Sequence, residues 1–352
     1  MSTIKVTNIE HASTANGGIQ LDNAGHVTVD GQQMPTAGAL SNRNLIINGA
    51  HIVWQRQTSV SGGSVLDNFA YATDRFWLYA PNSTSGTVGQ STDAPSGFIY
   101  STHNNLDASC NIGLNVELLK QGSDAPFVNG ESLTLSFYIK STSTRTGVAL
   151  TITTRDNAGG AGSVTRATGV TFDSTTSWTR VEKTFALSGA VGSNNRCFQI
   201  EFSLAIGDKV TGFQLEKGDK ATPFEHRSYG DELARCQRYF QTSFTDNPGT
   251  GNTSNVGVAF AGGGATGNTT SFIGGAYIQL SPTMRAAPTV TIFDLASPRN
   301  TGKLHRHTYG QAGSNNNTAV VTDTNTKSFV VRSDSGASAS GIIFHWKAEC
   351  EL

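Results

Sequence analysis

Apolar and polar side chains alternate with period two through most of the chain between residues 130 and 217. The alternation predicts strands at SLTLSFYIKS, GVALTITTRD, SWTRVEKTFAL, CFQIEFSLAI and TGFQLEKG, separated by turn-rich tracts such as DNAGGAGS. Parity puts Leu133, Leu135, Phe137 and Ile139 on one face. Val148, Leu150 and Ile152, then Phe198, Ile200, Phe202 and Leu204, and finally Phe213 and Leu215 join them. No strand–helix–strand alternation occurs, so the pattern predicts an antiparallel sandwich and not a parallel-sheet enzyme fold.

The period changes once. After Pro223, Ser228 is placed to cap a helix with Asp231 three positions on, and Leu233, Cys236 and Phe240 fall on one helical stripe. Asp231 and Glu232 sit in its first turn and Arg235 and Arg238 later, as the helix dipole favours. Beyond it, SNVGVAFAG, AYIQLSPTMRAAPTVTIFD, KSFVVRSD and GIIFHWKAECEL read as strands again. At the other end, IKVTNIE and HVTVDG alternate like short strands that cannot bury a face within one chain. They are either ordered by a partner or a flexible leader.

The expected fold is all-β: two antiparallel β-sandwich or jelly-roll-like domains joined by a short helix, preceded by an extended segment. The boundaries expected are an attachment or oligomerisation segment at 1–44, a β-sandwich at 45–226, a connecting helix at 227–241 and a distal β domain at 242–352.

Composition sharpens this. Only 14% of residues are charged, 39 are glycine and the net charge is −1, which suits many short strands joined by turns. Without a dense Lys/Arg run, phosphate-backbone binding is not expected. No apolar run reaches the length of a membrane span, and the start lacks the pattern of a secretory signal, so no membrane insertion is expected. Cys110, Cys197, Cys236 and Cys350 form no CxxC pair and read as free, mostly buried thiols. That fits a protein made in a reducing cytoplasm, and equally a virion protein assembled in its host.

The polar face of the predicted sandwich carries Thr134, Ser136, Tyr138 and Lys140, Gln199, Glu201 and Ser203, and Gln214 with Glu216. If Phe76 and Leu78 point inward, Trp77 and Tyr79 point outward. Rings stack on the C–H face of a pyranose while amides and carboxylates fix its hydroxyls, so Trp77, Tyr79, Tyr138, Lys140, Gln199 and Glu201 are the candidate glycan-binding residues. The competing reading is an ordinary solvated face, or one packed on a neighbouring subunit.

Other chemistry is thinner. His226 and Cys236 are ten positions apart with no motif around them, so a core thiol is the simpler reading. AGGGATGNTT lacks the GK[ST] ending of a phosphate loop. His305 and His307, at i and i+2, would share one face of a strand, where a three-fold axis would gather six imidazoles. Against that, the motif occurs once and beside a loop. No cofactor or resident metal is expected, and no catalytic residue is assigned. Glu201 and Glu216 are carboxylates on the outward face, but no motif sets them apart as a glycosidase pair.

The tracts NLIINGAHIVWQR, ATDRFWL and FQLEKGDKATPFEHRSYGDELARCQRYF, with LSPTMRAAPTVTIF and HWKAECEL after them, resemble bacteriophage tail-fibre and virion receptor-binding proteins, especially those of marine phages and cyanophages. Phe76 stands where that pattern leads one to expect Trp. The resemblance implies a carbohydrate-binding-module-like sandwich at 45–226 and a non-enzymatic virion protein that attaches the particle to a host-surface glycan. It also implies a homotrimer, joined through its N-terminal segment to other phage tail or capsid proteins. A capsid-decoration or tail component without a glycan site is the alternative, and a glycan depolymerase the third reading.

Overall fold

The computed structural model describes residues 8–9, 18–21, 27–29, 32–33, 42–63, 66, 69–118, 127–156, 163–189, 195–245, 249, 251–262, 275–308, 311–333 and 341–351. Two six-stranded antiparallel sheets face each other. The first runs Ser163–Ala167, Thr151–Asp156, Asn195–Leu204, Cys110–Glu117, Phe76–Tyr79, Ala70–Tyr71. The second runs Thr179–Ala186, Ser132–Lys140, Lys209–Lys217, Ser101–Leu106, Gly86–Ser91, Ser59–Ser61. Between them lies one apolar cluster that takes in Leu135, Phe137, Ile200, Phe202, Phe213 and Leu215. Its centre is a ring stack: Phe137 lies parallel to Phe202 and Phe213 at centroid distances of 5.1 and 5.2 Å. The inward parities read from the sequence are those observed.

Three features depart from the sequence pattern. GVALTITTRD is not one strand: Arg145–Ala149 pairs with Thr171–Ser174, the chain breaks at Leu150, and Thr151–Asp156 then enters the first sheet. The Cys110–Glu117 strand, between Phe76–Tyr79 and Asn195–Leu204, is not among the predicted strands, although Cys110, Ile112, Leu114 and Val116 alternate inward. Finally, the outward residues of the second sheet are largely not outward to solvent. Thr134, Ser136, Gln214 and Glu216 are buried, because the tract after Lys217 folds back across them. Thr134 donates to the Gly218 carbonyl, and the Gln214 amide reaches Glu216, Thr222 and the Pro223 carbonyl.

That returning tract is a joint. The Lys209–Lys217 strand is core through Phe213 and Leu215, and the helix spans Tyr229–Gln237. Ser228 caps it by accepting from the Asp231 amide at 3.2 Å, and Arg235 pairs with Asp231. Cys236 faces inward as expected, whereas Phe240 already begins the next strand, Phe240–Thr242.

The joint is zipped to the start of the domain. Asn44 donates to the Phe213 carbonyl and accepts from Leu215, and Glu225 accepts from the amides of Asn42 and Asn44. Arg227 holds Glu225, Glu232 and the Asn44 carbonyl. Asn48 has a positive φ of 60° and is fully buried. Its amide nitrogen donates to the carbonyls of Val53 and Asp74, and its backbone N–H donates to Glu232 at 2.7 Å. The buried Glu232 is therefore a structural anchor, paired with Arg227 and the Asn48 backbone amide, although its place in the first helical turn reads as an exposed dipole partner.

The second core gathers Leu280, Ile292, Leu304, Phe329, Phe344 and Trp346. Its organising strand is Gly341–Glu349, which pairs with Phe240–Thr242 and Thr289–Phe293 near its end and with Lys303–Thr308 and Ala259–Gly262 near its start. The chain end then locks onto the sandwich. Arg56 contacts Asp74 at 3.1 Å and Glu351 at 2.9 Å, and Arg75 pairs with the other oxygen of Glu351. Arg56 also lies over the Phe240 ring at 3.9 Å, and Arg75 over Tyr239 at 3.5 Å. Ahead of the sandwich, Asn8–Ile9, Ile19–Leu21, Val27–Val29 and Gln32–Gln33 form a small antiparallel meander; among the described residues the first core begins at Ile46, with Leu45 packed against it.

Candidate functional site

The six candidate glycan residues divide between two surfaces. Trp77, Tyr79, Gln199 and Glu201 lie on the outer face of the first sheet. Tyr138 and Lys140 lie on the outer face of the second, across the core. A single groove containing all six is thus ruled out by topology: parity identifies outward residues but not which sheet each strand joins.

On the first sheet, register sets the neighbours. Trp77 opposes Gly113, which opposes Glu201, which opposes Thr151. One row along, Asn115 opposes Gln199 and Gln199 opposes Thr153. Trp77 is not an exposed platform, since only 4% of it is accessible. Its indole lies on the bare backbone of Gly113, and Phe69 meets it edge-on at 5.1 Å. Phe69 is the exposed ring, 49% accessible, and it stacks on Tyr79 at 5.1 Å with an interplanar angle of 27°. Phe69 has φ +49°, a conformation that non-glycine residues adopt rarely and that functional surfaces often retain.

Beside these rings a recess of about 140 Å³ is lined by Phe69, Tyr71, Trp77, Asn115, Arg155 and Gln199. It is small against the roughly 300–1,000 Å³ of enclosing ligand pockets, so it suits an open platform that grips one ring of a larger chain. Gln199 is buried and donates to Glu201 at 2.9 Å. Burial pushes the Glu201 carboxyl above its ordinary range, opposed by that hydrogen bond and by Arg155. Rings, two amides and a guanidinium line the recess, and the Glu201 carboxylate lies beside it on the same sheet face, bonded by Gln199, a mixture of apolar surface with donors and acceptors.

No family model matches the chain, and no curated protein matches it in sequence. Solved structures resemble it only distantly. The enzymatically active domain of bacteriophage CBA120 tailspike protein 4 is 15% identical, with a TM-score of 0.32, over 50% of this chain and 22% of that one. The CBM22-1 xylan-binding domain from Paenibacillus barcinonensis is 11% identical, with a TM-score of 0.30, over 52% of this chain and all of that one. TmCBM61, solved with β-1,4-galactotriose, is 13% identical, with a TM-score of 0.26, over 50% of this chain and all of that one.

On the second sheet, Lys140 pairs with Asp93 at 3.0 Å, and Lys209 and the Trp178 indole hold the same carboxylate. The hydrogen bond from Lys140, aided by Trp178 and Lys209 and opposed by burial, lowers the Asp93 carboxyl to about 2. Lys140 is thereby committed to structure. Tyr138 packs on Phe98 at 5.3 Å.

Remaining candidates resolve similarly. Glu216 accepts from the hydroxyl and amide of Thr222, and it lies on the sheet opposite Glu201, so the two carboxylates cannot flank one glycosidic bond. Burial pushes the Cys236 thiol far above its ordinary value, the opposite of what a nucleophile requires. The His305 ring bonds Asn315 at 2.8 Å, while the His307 side chain lies outside the described residues, as does most of the AGGGATGNTT loop. Phe69, Tyr71, Asn115 and Arg155 were not singled out from the sequence. The available signal was Gly113, because a glycine inside an alternating strand marks close approach of another group.

Proposed function

We propose that this chain is a non-enzymatic virion protein that attaches a bacteriophage particle to a host-surface glycan through the outer face of its first sheet. The observation that carries the reading is the exposed Phe69 ring, stacked on Tyr79 and edge-on to Trp77, bordering a recess shared with Asn115, Arg155 and Gln199. The tail-fibre resemblance of the joint motifs supports the virion assignment, together with a homotrimer anchored to tail or capsid proteins through residues 1–44. Three copies would let weak sites act together, so that avidity replaces tight single-site affinity. Purified protein applied to a glycan array, and then as a competitor of phage adsorption, tests it. Array binding that blocks adsorption supports the reading, and silence in both defeats it.

A structural role, as a decoration or tail component, is the second reading. Phe260 and Tyr277, 60% and 66% accessible in the second domain, favour it as surfaces suited to covering by a neighbouring subunit. Particle micrographs with the chain on every capsid subunit, and no host binding, would favour it over attachment.

A further inference from the structure

Opposite the Phe69 face, where the joint meets the edge of the second sheet, lies a cleft of about 520 Å³, the size of a small-molecule site. One wall is Phe98, Ile99 and Tyr100, the other is His226 and Tyr229, and Trp54 stands at the side. We infer that this cleft is a second saccharide site, taking one residue of a neutral glycan. The inference rests on reading the sandwich as a sugar-binding domain.

Three observations define the class of ligand. The walls are aromatic and partly bare: Tyr229 is 57% accessible and Ile99 65%. The rings are also held in place rather than free to collapse. Phe98 packs on Tyr138 at 5.3 Å, on Phe224 at 4.9 Å and on His226 at 5.1 Å, and the Trp54 indole donates to the His51 carbonyl at 2.6 Å. Preorganised aromatic walls cost little entropy on binding.

The third observation is charge. No carboxylate lines the cleft among the described residues. The guanidinium of Arg227 is already engaged with Glu225, Glu232 and the carbonyls of Asn44 and Ile46. What remains for a ligand is the Gln90 amide, the His226 imidazole and tyrosine hydroxyls, which exchange hydrogen bonds with hydroxyls without demanding a charge. Apolar ring faces with a neutral polar fringe match the C–H face and equatorial hydroxyls of an uncharged pyranose. Among the described residues, an anionic sugar would meet there only the Arg227 guanidinium, whose two terminal nitrogens are already engaged and whose Nε is buried.

The test is calorimetric titration of the full chain with neutral oligosaccharides (cello-, xylo- and galacto-oligosaccharides), alongside Tyr229→Ala and Phe69→Ala. Both substituted residues are exposed, so folding is preserved. Two sites per chain are expected, with Tyr229→Ala weakening one about tenfold, equivalent to about 1.4 kcal/mol, and leaving the other unchanged. One site, weakened by Phe69→Ala and indifferent to Tyr229→Ala, overturns the second site and leaves the first. One site that responds only to Tyr229→Ala supports the cleft and refutes the Phe69 face. No binding by the whole panel refutes both. A Tyr229→Ala chain with unaltered saccharide binding but a smaller sedimenting species overturns the inference in favour of a subunit contact.

Discussion

The indole of Trp77 occupies the space where residue 113 would carry a side chain: a β-carbon on Gly113 would lie 2.0 Å from Cζ2 of the ring. Because the contact is to a rigid indole seated under Phe69, it cannot be relieved by a rotamer change alone. Gly113→Ala is expected to destabilise by about 1–3 kcal/mol and to displace the Phe69–Tyr79 stack. Denaturant unfolding and saccharide titration read the two effects. Combining Gly113→Ala with Trp77→Leu should cost less than the sum of the single changes, as residues in direct contact do not add.

Trp77 is a structural floor more than a contact residue. Trp77→Ala is expected to cost about 3–5 kcal/mol, in the range of buried aromatic truncations, and so cannot report on binding alone. Phe69→Ala and Tyr79→Ala are the informative pair. They should weaken binding while the melting temperature shifts little, which differential scanning fluorimetry checks.

The ion cluster around Glu351 makes the chain end part of the sandwich. Arg56→Ala strips the buried Asp74 carboxylate of its guanidinium and leaves Glu351 held by Arg75 alone, so a loss of about 3–5 kcal/mol is expected. Calorimetry should show one endotherm in the wild type splitting into two as the domains uncouple. A single unshifted endotherm in Arg56→Ala would show that the cluster does not couple them.

Asp93 supplies a pH signature. Its carboxyl is lowered from 3.8 to about 2 in the folded chain, chiefly by the Lys140 hydrogen bond. A depressed folded value gives stability that is fully present above 3.8 and is lost as the pH falls through about 2. Because the group is partly exposed, the effect is small and screened by salt. Asp93→Asn should flatten the acid limb between those two values, and urea midpoints taken along it check this.

How much of this was legible depended on what local pattern can encode. Inward parity at Leu135, Phe137, Ile200 and Phe213, the Ser228 cap and the burial of Cys236 follow from periods of two and 3.6, and the structure has them. Partnering between strands does not follow from period. Parity marks Tyr138 and Gln199 alike as outward without saying whether they share a sheet, and they lie on opposite sheets. Nor does period anticipate a loop that returns over a sheet, which is why Gln214 and Glu216 read as surface and are buried beneath Thr222 and Pro223. Phe69 was hidden for a related reason: a positive φ places its ring by turn geometry that no alternation announces. The joint, by contrast, was visible in the sequence through Pro223, the Ser228 cap and the change of period, whereas the bonds that tie Asn44 and Asn48 to Glu225, Arg227 and Glu232 span most of the domain and follow from no local pattern.

If the proposed function holds, Phe69 and Tyr79 form the sugar-contacting surface. Surface-immobilised host glycan titrated with wild-type, Phe69→Ala and Tyr79→Ala chains tests it most directly. Affinity should weaken about tenfold or more in each variant at unchanged thermal stability. Equal affinity in all three chains would contradict it.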